Sequence, residues 1–249
     1  MNFSTKQKSM KSIFTTFSFE KSLDELDKIL DDDRTDVEEL NSLPDETEER
    51  YEKTLYAFCS VIYVDIRMKN DWTDANKRTI YAKIYRSLVT QLISLFESCK
   101  LCYDINNNEK AIWAIFDTKY KSSIDEVISL VAQVNSLLKT LNFKISKREW
   151  PTISWGIGVA YDRALLIGVK DTATSYSHLF LGPVLKKAAR LASYGNQTYF
   201  DNPIMISDIF YSNLNEEYKK LFTDNKEHDC YHGNIVNIEM DEWYKKNNV

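Results

Sequence analysis

Asp65 stands directly after an apolar run, Leu55-Tyr56-Ala57-Phe58-Cys59-Ser60-Val61-Ile62-Tyr63-Val64, and is followed by Ile66-Arg67. A strand with apolar side chains on both faces lies inside a sheet covered on both sides. A carboxylate where such a strand leaves the core is held rigidly, and can reach a cation or a phosphate-bearing ligand. It can equally cap the next turn, and the segment alone leaves both readings open. Lys186 and Arg190 lie four residues apart, so on a helix they project together. Such a pair suits a polyphosphate, and it also suits a plain solvated face. Cys99 and Cys102 have a zinc-like spacing, but no second pair or suitably placed histidines accompany them. His178, His228 and His232 share no spacing with a serine and an acid that would assign a catalytic triad.

The elements that must position these groups follow from periodicity. Residues 19–30 place Phe19, Leu23, Leu26 and Leu30 on one helical face, Asp31-Asp32-Asp33 ends that helix, and residues 41–50 read as an acidic linker. Thr73-Asp74 can cap a long helix with Ile80, Ile84, Leu88, Leu92, Leu95 and Phe96 inward. Residues 101–105 and 111–116 form a hairpin around Asn106-Asn107-Asn108-Glu109. Ser123-Ile124-Asp125-Glu126 reads as a capping box opening a second helix, with Val127, Leu130, Val131, Val134, Leu138 and Leu141 inward. Residues 153–160 alternate large and small, a strand with one face close to another element, and Tyr161-Asp162-Arg163 reads as a turn into residues 164–169. Gly156-Ile157-Gly158 lies inside that strand with no helix after it, so it is not a dinucleotide loop. Gly182-Pro183 opens a helix with Leu185, Ala188 and Ala192 inward. Residues 231–240 read as a hairpin or edge strand.

The order β-α-β-β-α-β is ferredoxin-like, so the expected fold class is α+β, with further elements at its C-terminal end. The expected division is an acidic helical arm at residues 1–54 and one domain at residues 55–249. Between residues 20 and 53, fifteen acidic residues face five basic ones, a balance of −10. With a net charge of −5 overall, the remainder is basic by about five, but no long basic stretch points to nucleic acid. Apolar runs are too short for a membrane span, and residues 1–18 lack the apolar core of a secretion signal. A cytoplasmic, reduced protein is the expectation.

The segments Val64-Asp65-Ile66-Arg67, Ala114-Ile115-Phe116-Asp117-Thr118 and Trp155-Gly156-Ile157-Gly158-Val159-Ala160-Tyr161 together resemble the catalytic domain of class III nucleotidyl cyclases. Leu181-Gly182, residues 188–196 and Tyr231-His232-Gly233-Asn234 extend the likeness, which is greatest to the bacterial Pycsar anti-phage cyclases that make cyclic CMP or cyclic UMP. The resemblance implies a head-to-tail dimer, with itself or with a cyclase relative, and a site for a nucleoside triphosphate between the subunits. It implies two aspartates holding two Mg or Mn ions, and an asparagine and an arginine from the other subunit.

Carried onto this chain, Asp65 is the first metal carboxylate, Ile66 the backbone carbonyl ligand and Arg190 the catalytic arginine. Met68-Lys69-Asn70 stand where the family has a glycine followed by serine or threonine. Lys110 stands at the second metal aspartate, Gly182-Pro183 replaces a Gly-Asp pair, and Lys186 falls on the orienting asparagine. Lys69, Lys110, Lys186 and Arg190 would make the cleft basic and suited to an anionic nucleotide. Losing one transition-state contact costs about a hundred- to a thousandfold in rate. The resemblance therefore implies a degenerate pseudocyclase that binds a nucleotide or regulates a cyclase partner. The alternatives are an active pyrimidine nucleotide cyclase with an unconventional metal site and a dimeric scaffold that binds no nucleotide.

Overall fold

A computed structural model describes residues 16–32, 37–44, 54–68, 74–172, 175–198 and 201–248. The first helix, α1 (Phe19–Leu30), is capped by the Ser18 side chain and runs over the expected residues. Strand β1 (Val37–Leu40) then pairs in parallel with the start of β2 (Thr54–Arg67), Val37 opposite Thr54. This strand was not expected, because Val-Glu-Glu-Leu has no apolar alternation and is mostly exposed. Leu43, just beyond it, is buried, and its amide donates to Asp117 Oδ1 at 3.1 Å. Residues 37–44 thus add to the sheet and core that begin with β2.

From β2 the chain runs through α2 (Ala75–Glu97), β3 (Cys102–Asn107), β4 (Ala111–Phe116), α3 (Lys121–Ser146) and β5 (Ser154–Thr172), which is the expected βαββαβ order. Their strands lie in the order β3-β4-β2-β5, with β2 antiparallel to both neighbours. Beyond β5 come β6 (Ser175–Leu181), α4 (Pro183–Tyr194), β7 (Ile204–Ile206), α5 (Asp208–Asn213), α6 (Glu216–Lys219), β8 (Thr223–Asn225), β9 (Cys230–Gly233) and α7 (Ile238–Asn247). Strands β7, β9 and β8 continue the sheet past β5, while β6 folds back on the outer half of β5.

Three sequence expectations change. Helix α3 starts at Lys121 after Tyr120, with no side-chain cap, so Ser123 is a buried first-turn residue and not an N-cap. Residues 161–163 do not turn: β5 is one 19-residue strand. It continues because the whole length of β2 pairs with it, from Arg67↔Ser154 to Thr54↔Ile167, so residues 161–163 lie inside the ladder. The Arg163 guanidinium is accommodated there at 4.5 Å from the Phe58 ring and 2.8 Å from Glu39 Oε2. Finally, β9 is one arm of a hairpin with β8, as one of the two readings had it, but it lies between β7 and β8 and is not an edge, and Ile238 already opens α7.

Both faces of the sheet are covered. Ile62, Val64 and Ile66 pack with Leu88, Leu92, Val131 and Leu138 of α2 and α3. Leu55, Ala57, Cys59 and Val61 point the other way, where Val184 and Ala188 of α4 join them. The large-small alternation in β5 has its reason here. A Cβ on Gly156 or Gly158 would lie 2.0 Å from the carbonyl oxygens of Ala192 and Ala188, so α4 rests directly on the strand backbone.

Candidate functional site

Asp65 sits near the end of β2, between Ala111 of β4 and Gly156 of β5. Two residues on, Arg67 shares its face, as strand alternation requires. Arg67 Nε lies 3.1 Å from Asp65 Oδ2, and the other end of the guanidinium donates to the Gly195 carbonyl at the end of α4. Among the described residues the Nε–H finds no hydrogen-bond acceptor despite that distance, so the approach to Asp65 is a charge contact and not a directed bond. Gly156 leaves the room: a Cβ there would lie 2.9 Å from Arg67 Nη2. Sequence reasoning passed over Arg67, although its spacing of two from Asp65 on a strand was the available signal.

The hairpin tip faces Asp65. Asn108 Oδ1 accepts from the amides of Lys110 and Ala111, each at 2.8 Å, and the Ile66 amide donates to the Lys110 carbonyl at 2.7 Å. Burial raises the Asp65 pKa above the ordinary carboxylate range, while the charges of Arg67 and Lys110 pull it back. Tyr63, on the same face of β2, has its phenol pushed up by burial and by Asp65, with a hydrogen bond from Asn108 acting against both.

A cavity of about 740 Å³ opens here, its walls including Asp65, Arg67, Tyr85, Glu109, Lys110 and Ser154. Glu109 and Lys110 precede β4, which starts at Ala111, so they belong to the turn. Strand alternation does not separate them, and both reach the cavity wall. The two carboxylates, Asp65 and Glu109, are therefore matched by two cations, Arg67 and Lys110. A pair of magnesium ions is held by one or two carboxylates together with substrate phosphates. Among the described residues each carboxylate of this lining is opposed by a cation, and no group of three potential metal-ligating side chains occurs. The described residues of the lining do not by themselves make a two-metal centre. The cysteines offer no substitute, because burial pushes Cys59 and Cys102 up to about 12 and Cys230 to about 11, and also raises Cys99.

The remaining sequence candidates lie elsewhere. Lys186 and Arg190 are exposed on α4, whose opposite face meets β5, and neither lines the Asp65 cavity of its own chain. The structure does bring these two onto one face, as their spacing predicts. Ile66 turns its side chain into the core, leaving its backbone at the cavity wall. Lys69 lies outside the described residues.

No family model matches the sequence. Two curated relatives do. A uridylate cyclase of Gulbenkiania mobilis is 28% identical over 258 residues, covering 96% of this chain and 100% of the relative. A uridylate cyclase of Treponema porcinum is 29% identical over 218 residues, covering 85% of this chain and 75% of the relative. Among solved structures, a class III adenylyl cyclase-like ATP-binding protein from Pseudomonas aeruginosa superposes with a TM-score of 0.60 at 14% identity, over 95% of this chain and 50% of that one. The guanylyl cyclase Cya2 superposes with a TM-score of 0.55 at 10% identity, over 74% of this chain and 94% of that one. The sheet order and these likenesses agree: the chain has the fold of class III nucleotidyl cyclases and is similar in sequence to two uridylate cyclases.

Proposed function

We propose that this chain is a pseudocyclase of anti-phage defence, which dimerises with itself or with a cyclase relative and binds a nucleoside triphosphate without cyclising it. One observation carries the reading. The cavity at the end of β2 has Lys110 and Arg67 balancing Asp65 and Glu109, so its described lining lacks the net negative charge that favours two divalent ions, and cations added to it would favour an anionic ligand. Lys186 and Arg190 on α4 have no carboxylate partner among the described residues. They complete a basic cleft when a second subunit brings its α4 to this cavity.

The full-length likeness to uridylate cyclases favours a second reading, an active pyrimidine nucleotide cyclase that converts UTP or CTP with Mg or Mn held in an unconventional way. Incubating the pure protein with each of the four nucleoside triphosphates and manganese, then analysing products by mass spectrometry, separates the two. Cyclic product that disappears in Asp65→Ala establishes the second reading. Absence of product, together with nucleotide-dependent thermal stabilisation that is lost in Arg190→Ala, establishes the first. Neither product nor stabilisation leaves the non-binding scaffold.

A further inference from the structure

Helix α1 has an apolar face that none of the described residues covers. Phe19, Leu23, Leu26 and Leu30 are 43–77% exposed, and no residue of the helix is buried. Around them stand Glu20, Asp24, Glu25 and Asp27 against Lys21 and Lys28, with Asp31 and Asp32 following. A helix with this face is not stable as a solvated rod, and stability of such helices comes from packing the apolar stripe.

On the domain, α2 and α3 splay to leave a groove of about 710 Å³. Its floor, Leu88, Leu92 and Leu138, is buried, and Leu137, Leu141 and Trp150 line it as partly buried apolar side chains, Trp150 at its end. Lys83, Arg86, Lys144 and Arg148 form its rim. None of these four has a carboxylate partner among the described residues, and Lys83 and Arg148 instead stack on Trp150, at 5.7 and 5.9 Å from its ring. The groove is thus apolar below and cationic above, the reverse of the acidic rim on α1. The lengths agree as well. Residues 83–92 of α2 span about 15 Å, and the 12 residues of α1 about 18 Å.

We propose that α1 of one chain docks in the α2–α3 groove of a second copy. Among the described residues the chain's own α1 does not fill its own groove, since no residue of that helix is buried. Two exchanged arms close a two-fold dimer, each acidic helix meeting a basic rim. This contact is separate from the nucleotide cavity, and its failure leaves the functional reading untouched.

The test uses the full chain. A tagged Leu26→Cys chain is co-expressed with an untagged Ser87→Cys chain, oxidised and run without reductant, beside the double variant in a single chain. The expected result is a covalent dimer joining the two single variants. Closure within one chain of the double variant, without a covalent dimer, overturns the exchange and assigns the groove to the chain's own arm. No linkage in either sample overturns the docking altogether. A second measurement avoids cysteine. Arg86→Glu with Lys144→Glu is expected to weaken self-association by about tenfold in sedimentation equilibrium. Adding Asp24→Lys and Asp27→Lys is expected to restore it. Self-association unchanged by the rim variant overturns the proposal.

Discussion

The Ile66 amide donates to the Lys110 carbonyl at 2.7 Å, which ties the residue after Asp65 to the tip of the β3–β4 hairpin. With Asn108 holding the Lys110 and Ala111 amides, the backbone at the tip is set by bonds that do not involve the Lys110 side chain. A change at position 110 therefore alters the charge of the cavity and little else.

Lys110→Asp follows as the direct probe of the missing carboxylate. The variant is expected to bind Mn²⁺, read as loss of the free-ion signal in electron paramagnetic resonance, whereas the native chain leaves that signal unchanged. Equal binding by both proteins would show that the native cavity already holds the ion.

Asp65 makes a pH prediction whose sign is fixed by its raised pKa. Between the ordinary value of 3.8 and the raised folded value, the folded state holds more protons than the unfolded one. Stability from this group is full below that window and falls as pH rises through it. Relative to Asp65→Asn, the native chain should therefore lose stability as pH rises across the window, measured by urea unfolding at a series of pH values. Arg67→Met removes one of the charges that offset burial, and should move the Asp65 carboxyl titration, followed by carbon NMR, to still higher pH.

Gly158→Ala tests the close approach of α4 to β5. The added Cβ would meet Ala188 O at 2.0 Å and Ala192 N at 2.4 Å, both backbone atoms that cannot rotate away. The expected cost is about 3 kcal/mol in denaturant unfolding, at the upper end for overpacking. An effect below the resolution of the measurement would mean that α4 sits farther from the strand.

Asn135 is fully buried and joins three elements. Its Nδ2 donates to Asn234 Oδ1 and to the Ile235 carbonyl, and its Oδ1 accepts from Trp155 Nε1. Asn135→Leu strands all three partners and is expected to cost about 3 kcal/mol. Trp155 fluorescence should shift as its indole loses that acceptor.

The central fold was legible because its elements are long and strongly periodic. The β2 run and the apolar faces of α2 and α3 follow periodicities that packing simply honours. The errors arose where a partner decides the outcome. Glu38 and Glu39 do not propose a strand, and β1 exists because the edge of β2 was available to pair with it. Asp162 and Arg163 look like turn residues, yet β2 carries β5 straight through them, with aromatic rings beneath the guanidinium. At the site, Asp65 and Lys110 were placed by order along the chain, but their charge balance with Arg67 and Glu109 needed the turn geometry. Lys186 and Arg190 were correctly paired with each other, while their distance from the Asp65 cavity within one chain is a matter of the helix side that α4 presents.

The parallel pairing of β1 with β2 has a mechanical consequence. Tension on the arm pulls β1 along its own axis, so the rungs from Val37↔Thr54 to Leu40↔Ala57 carry the load together instead of opening one by one. The same β2 backbone runs unbroken from that anchor to Asp65. Force applied at the arm is thereby delivered as shear along a single stiff rod whose far end carries the cavity carboxylate.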